Sequence, residues 1–436
     1  MNRQILKLAL PFIISNITVP LVSSVDTALM GNFGSTAQMG AIGLGGAIFN
    51  FLYWNFAFIR MSVVGLTAQQ LGAKNNIETS MLLGRSLFVA LIGSLLLVIF
   101  QAPIGQIIFS ITQGEAEVEN FALEYFRLRI WDAPATICLM ALSGWFVGMQ
   151  NARAPMMVAL LINSVNIFLS YIFVAKFGMH ARGIAMGTVI AQYCGLLLAL
   201  AILLSKYKNT IKHIFLIKVL ELKGYRRFFQ VNIDVFVRTL AVILVLTWYN
   251  FASAGKGNII LGINVIFLQL VFAFSFFTDG FANAAEALTG KFFGAGDKQK
   301  LKRTVHLLFV WGFSIALAFT LVYMFAWEHI FRIFTNDDNV IRESARYVGW
   351  IIAMPLVSIL TFIWDGVFLG TTATREQRNA TVIAALLFFA VYYFLEPYYA
   401  NHALLFAQLV FFGMRGILQS FLYKPAILNK IDCKRL

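Results

Sequence analysis

Charge is scarce in this sequence. Only 12% of the 436 residues are Asp, Glu, Lys or Arg, about half of the roughly 25% in soluble domains. A soluble surface cannot be built from so few charges, and with 60% hydrophobic residues the chain reads as an integral membrane protein. Cysteine is scarcer still. Cys138, Cys194 and Cys433 are too few and too scattered for a disulfide framework or a CxxC metal site. The histidines His180, His213, His306, His329 and His402 lie in different segments, so neither a metal site nor a cofactor is expected. No nucleophile stands beside a base and no Walker-type Gly-rich loop occurs, which argues against an enzyme and against ATP drive. The net charge of +14 does not indicate nucleic acid, because the basic residues flank apolar runs. The start, MNRQILKLALPFI, looks like a signal peptide, but its apolar stretch continues to about Met30 with no small-residue cleavage site. It is expected to remain as a first spanning helix.

What the sequence does hold is long apolar runs. A span needs about 20 apolar residues, and twelve are expected: 9–31, 39–71, 82–108, 121–149, 155–176, 183–204, 228–253, 260–292, 304–331, 343–371, 379–397 and 402–423. Prolines 11, 20, 134, 155 and 355 are candidate helix starts or kinks, since proline lacks the backbone donor. With the termini and even-numbered loops on one side, 23 of the 34 Lys and Arg lie there and 5 on the other. The positive-inside rule then places both termini in the cytoplasm of a multi-pass cell (inner) membrane protein.

The chain also repeats itself. Gly65-Leu-Thr-x-x-x-x-Gly72-Ala73 recurs as Ala287-Leu-Thr-x-x-x-x-Gly294-Ala295, and Gly144-x-Phe-x-Gly148-x-x-x-x-Arg153 recurs as Gly366-x-Phe-x-Gly370-x-x-x-x-Arg375. Tyr125 and Tyr347 keep the same offset of 222. Six spans per copy give the halves one orientation, a parallel repeat. The expected architecture is all-α and polytopic, with twelve transmembrane helices in two six-helix lobes. The division is an N-lobe (1–204), a basic amphipathic cytoplasmic linker (205–227), a C-lobe (228–424) and a cytoplasmic tail (425–436). The linker's apolar run, IFLIKVL, is suited to rest on the membrane surface. A monomer is expected, because the two lobes pair internally, with the lipid bilayer as surroundings.

Asp26 is the most informative polar residue. It lies inside the first span with only Ser, Thr and Asn for polar company. A carboxylate in hydrocarbon costs about 2.5–3.5 kcal/mol on insertion scales and survives when neutral, paired or facing water. No base lies near Asp26 in sequence, and burial without a cation favours the protonated form of a carboxylate. In the fifth span, Asn163, Asn166 and Ser170 share one helical face by their spacing, and Thr188 in the sixth span can join them. These four serve either as partners of Asp26 or as hydrogen-bonding glue between helices.

The second half has its own set. Asp279, Asn283 and Glu286 share one face of the eighth span. Asn232, Asp234 and Arg238 lie in the seventh, the last two as an i,i+4 pair. Asp365 lies in the tenth span, and Arg60 and Arg415 are intramembrane cations that need counter-charges from other helices. This second set reads as a cavity lining or as structural ion pairs.

VDTALMG at the end of span one, RMSVVGLTAQQLGA at the end of span two, NSVNIFLSYIFV in span five and DGFANAAEALTGKFFGAGD in span eight resemble the multidrug and toxic compound extrusion (MATE) family, in its DinF-type branch. The resemblance covers essentially the whole chain. It implies two lobes, a central cavity, and export of organic, often cationic, small molecules driven by inward H⁺ or Na⁺. It implies Asp26 as the coupling residue, with Asn166 and Thr188 beside it. Members commonly carry Asp where this chain reads Ser170. A Na⁺ ion prefers several oxygens, including charged ones, so this departure favours H⁺ over Na⁺. The expected function is therefore a proton-coupled antiporter. The alternative is a lipid-linked-oligosaccharide flippase of the related superfamily, which needs several uncommitted cations to hold pyrophosphate.

Overall fold

Apolar runs with no water to satisfy their backbone must close their hydrogen bonds internally, and helices do so. The computed structural model of the protein describes residues 1–111, 115–214, 219, 221 and 225–433, and among these no strand occurs. The main helices are α1 (Asn2–Phe33), α2 (Thr36–Trp54), α3 (Ala57–Gly72), α4 (Asn76–Ile99), α5 (Gln101–Ile111), α6 (Ala116–Arg129), α7 (Ala133–Gly148), α8 (Arg153–Tyr171) and α9 (His180–Lys206). They continue as α10 (Arg226–Ala254), α11 (Asn258–Gly294), α12 (Lys298–Phe334), α13 (Val348–Gly370), α14 (Thr374–Tyr399) and α15 (Asn401–Tyr423). Among the described residues, twelve helical stretches are long and apolar enough to cross a membrane, in the order the sequence predicts. The second span is broken into α2 and α3 at Asn55–Phe56, and the fourth into α6 and α7 by a single tight turn at Ile130–Asp132. Pro134 starts α7 and Pro155 lies in the first turn of α8, whereas α1 runs through Pro11 and Pro20 and α13 contains Pro355.

The chain divides into two units: Ile14–Phe228, and Met1–Ile13 together with Phe229–Leu436. Residues 1–13 thus depart from the division at 204. Ile5 and Ala9 are fully buried, and a Cβ placed on Gly280 of α11 would lie 2.8 Å from the Ala9 carbonyl oxygen. Gly280 lets the start of α1 seat on α11. The described part of the tail is folded. After α15 the chain passes through a π-helical turn, Lys424–Leu428, that buries Ala426, Ile427 and Leu428, and Asp432 accepts a bond from Lys298 Nζ at 2.5 Å. Of the linker, most of IFLIKVL lies outside the described residues. Val219 is buried, and its side chain closes on the space beside Gly84 of α4.

Within each unit the repeated glycines perform the same packing task. A Cβ at Gly144 of α7 would come within 2.7 Å of the Arg60 carbonyl oxygen on α3, and one at Gly148 within 2.6 Å of Thr67 Cβ. In the second unit, a Cβ at Gly366 or Gly370 of α13 would collide with the carbonyl oxygens of Ala282 or Glu286 on α11. Arg60 and Ala282 are themselves one repeat apart, as are Glu286 and Val64, whose carbonyl oxygen lies 2.9 Å from a Cβ placed on Gly148. Without a side chain at these positions, two helix backbones approach closely. Aromatic side chains fill the first unit's core around Trp145, whose Nε1 donates to the Thr79 carbonyl at 2.9 Å. The second unit packs Phe267, Phe331, Phe388 and Phe411.

Candidate functional site

The first unit assembles its site from α1, α8 and α9. Asn163 Nδ2 donates to Thr18 Oγ1 at 2.7 Å, so α8 lies beside α1. Asn166 Nδ2 donates to Thr188 Oγ1 at 2.9 Å, and Thr188 in turn donates to its own helix at Ile184 O. Ser170 closes the face against α9. A Cβ at Gly187 would stand 3.0 Å from Ser170 Oγ, so glycine there permits the approach. Asp26 is half-buried. Asp26 Oδ1, Asn166 Oδ1 and Ser170 Oγ are all buried without a hydrogen-bond partner. These three buried oxygens keep spare acceptor capacity. Immediately beyond Ser170 the helix widens into a π turn, Ile172–Lys176, a distortion frequent at functional sites.

The solitude of Asp26 is corrected by the fold. Its electrostatic neighbours include Arg129 and Tyr125, both from α6. Sequence spacing missed this cation because it lies about 100 positions away. A second acid, Asp132, is completely buried in the same unit. The available signal was an acid one residue before the helix-starting Ala133-Pro134, with two arginines in the preceding turn.

In the second unit the predicted residues are sorted differently from their spacing. The expected Asp234–Arg238 pair does not form. Asp234 takes Arg378 at 2.6 Å and Thr374 at 3.0 Å. Arg238 takes Asp365 at 2.6 Å. An i,i+4 pair contributes only about 0.2–0.5 kcal/mol, and a buried partner on a neighbouring helix outweighs it. Asp365 is a hub: Arg238 and Arg415 both reach Oδ2 at 2.6 Å, while Gln377 and Gln419 donate to Oδ1 at 2.9 and 3.0 Å. Asn283 Nδ2 donates to the Asp279 carbonyl within α11. Glu286 is buried on the same helix, and Asn232 is buried on α10 with both amide atoms unpartnered. Arg60 is half-buried on α3.

The profile of the MatE family matches residues 11–172 and again residues 235–394. The chain belongs to that family, the multidrug and toxin extrusion transporters. The two matched stretches reproduce the internal repeat at nearly the same spacing. The chain is 33% identical to DNA damage-inducible protein F of Escherichia coli (strain K12) over 95% of its length and 90% of the relative's. It is 26% identical to the probable multidrug resistance protein NorM of Thermotoga maritima over 88% of this chain and 83% of that one. Among solved structures, a MATE in the bent conformation superposes with a TM-score of 0.88 at 17% identity, covering 99% of this chain and 96% of the other. The all-α, twelve-span fold is thus that of the MATE transporters.

Proposed function

We propose that this MATE-family chain is a secondary antiporter that exports amphipathic, cationic organic compounds in exchange for H⁺, with the proton carried on Asp26. The observation that supports this most directly is the cluster of buried, unpartnered oxygens on Asp26, Asn166 and Ser170. Protonation removes the charge of Asp26 and makes its hydroxyl a donor to those acceptors. Deprotonation restores a carboxylate to which the Ser170 hydroxyl can donate. The state of one proton thereby changes which bonds join α1 to α8, and α1 is the element whose position the proton controls. Asn163 with Thr18, and Asn166 with Thr188, orient the face that Asp26 meets. The neutral Ser170 leaves the site with fewer charged oxygens than a Na⁺ ion prefers. The name of one relative, probable multidrug resistance protein NorM, supports export of toxic compounds as the service performed.

The flippase alternative is disfavoured by Arg238 and Arg415. Both are committed to Asp365 rather than available to a pyrophosphate. The chain acts as a monomer in the cell's inner membrane, with both termini in the cytoplasm.

The test is ethidium export from proteoliposomes holding the purified protein. An imposed ΔpH drives export by wild type, and Asp26→Asn reduces it to the level of protein-free liposomes. Wild-type export by Asp26→Asn under the same gradient would exclude Asp26 as the proton carrier.

A further inference from the structure

The starts of α13 and α15 are joined by a bond that only an uncharged histidine can make. His402 is the second residue of α15, and Trp350 lies in the first turn of α13. Trp350 Nε1 stands 3.0 Å from His402 Nδ1. An indole nitrogen is a donor only, so Nδ1 must accept, and the ring proton is then on Nε2. The imidazole also lies against Tyr347, with ring centroids 4.7 Å apart, and Trp350 is backed by Phe406 at 5.7 Å. A tryptophan near a membrane surface ordinarily turns its N–H towards the wet side. Here the N–H is committed to a side chain of another helix.

The same end of α15 is tied to α11 by groups that carry no charge. Asn264 Nδ2 donates to Asn401 Oδ1 at 2.8 Å, and Asn401 Nδ2 donates back to Asn264 Oδ1 at 3.0 Å. Asn264 Nδ2 also donates to Ser253 Oγ of α10 at 2.8 Å. Both asparagines are buried. Ala400 alone separates α14 from α15. Its φ is +46°, a value that an alanine keeps only where its surroundings hold it. The start of α15 is thus fixed towards α10 and α11 by bonds indifferent to pH, and towards α13 by one that is not.

The charged and titratable groups on the elements around this corner are Arg342, Glu343 and Arg346 just before α13, Tyr347, Lys256 between α10 and α11, and Glu396 of α14. Glu343 takes Arg346 at 2.8 Å, and Glu396 takes Lys256 at 2.9 Å. Arg342 donates to Asn339 Oδ1 at 2.8 Å. Histidine is the side-chain type whose ordinary charge change falls between pH 5 and 8. A protonated imidazole carries N–H at both nitrogens, so the Trp350 N–H is left facing another donor.

The internal repeat isolates what is particular to this corner. His180 and His402 are 222 positions apart, as are Tyr125 and Tyr347, so each copy begins its last span with a histidine. In the first copy the position of Trp350 is taken by Leu128, Tyr125 is bonded to Arg129, and His180 Nδ1 is buried without a partner. The histidine is duplicated, but the indole donor is present in the second copy alone.

We infer that His402 and Trp350 form an acid-sensitive latch. It is closed while His402 is neutral. Protonation of His402 opens it and releases the start of α13, while the Asn401–Asn264 tie holds α15 on α11. In the topology proposed above this end faces the outside, so the latch answers to the compartment from which protons arrive. The latch follows from the geometry, and only its side rests on that topology.

The experiment uses the full-length protein in lipid nanodiscs, where both faces meet the same buffer. Amide hydrogen exchange is followed at about pH 8 and about pH 5, and each segment is compared with an unstructured peptide at the same pH to give its protection. On acidification the wild-type segment 345–352 loses protection roughly fivefold, the weight of one net hydrogen bond, while segment 258–266 of α11 keeps its own. His402→Gln has no titrating ring and Trp350→Phe has no donor. Each shows equal protection of 345–352 at both pH values, and either carries the test should the other not fold. His180→Gln behaves as the wild type does. Equal protection of the wild-type 345–352 segment at both pH values overturns the inference. So does an undiminished acid response in folded His402→Gln or folded Trp350→Phe. A reversed topology is separately visible in membrane-impermeant labelling from either side, and it turns the latch to the cytoplasm without removing it.

Discussion

Asp365 receives four donors on two oxygens, and each oxygen answers one cationic or amide pair. A carboxylate so enclosed is a keystone charge. Removing one partner of a buried ion pair costs about 3–5 kcal/mol because the survivor is left uncompensated. Asp365→Asn is therefore expected to lower the unfolding temperature of the purified protein sharply, since Arg238 and Arg415 are then side by side with no counter-ion. Asp365→Asn/Arg415→Gln removes one of those cations and recovers part of the loss. If both variants melt with the wild type, the hub is not structural. Tyr53→Phe is a second residue-scale case. It removes the hydroxyl that donates to Asp132, and leaving a buried acceptor short of a donor costs about 1–3 kcal/mol, readable in the same melting assay.

Helix-scale behaviour follows from where a Cβ fits. Gly148→Ala pushes α7 off α3 at Thr67 and Val64, and overpacking of this kind costs about 1–3 kcal/mol. Gly46→Ala in α2 meets nothing within 4 Å, and alanine's better helix propensity is worth up to about 1 kcal/mol there. Opposite shifts in melting temperature are expected from the same one-carbon change, and equal shifts would remove the packing argument. The elements themselves were readable from the sequence because helix spans and helix faces are local properties. Asn163, Asn166 and Ser170 share a face by spacing alone, and the structure does set Asn163 against α1 and Asn166 against α9. Partners were not readable where they come from afar. Tyr53 reaches Asp132 across 79 positions, and Arg238 reaches Asp365 across 127. The tempting local pair, Asp234 with Arg238, was the wrong one for the same reason. Only packing determines which of several charges in a buried unit meet.

For the whole chain, the duplication was legible because three matches, in the second and fourth spans of each copy, keep one order and one offset. The family match in two stretches, 11–172 and 235–394, carries the same information. Charge asymmetry makes a prediction of its own. In a cysteine-free background, Lys300→Cys, at a side chain 61% exposed, reacts with a membrane-impermeant maleimide only in inside-out vesicles. Arg332→Cys, 53% exposed, reacts in intact cells. Reversed labelling would invert the assigned topology.

The seating of Ala9 against Gly280 sets a schedule for biogenesis. These two positions are about 270 residues apart. At the usual 5–20 residues per second of translation, the interval between them is on the order of 10 to 50 s. Throughout that time the start of α1 is already in the membrane while its seat has yet to be made. A partly synthesised chain is thus exposed at its beginning until its second half arrives, and that interval is when a membrane chaperone or protease would meet it.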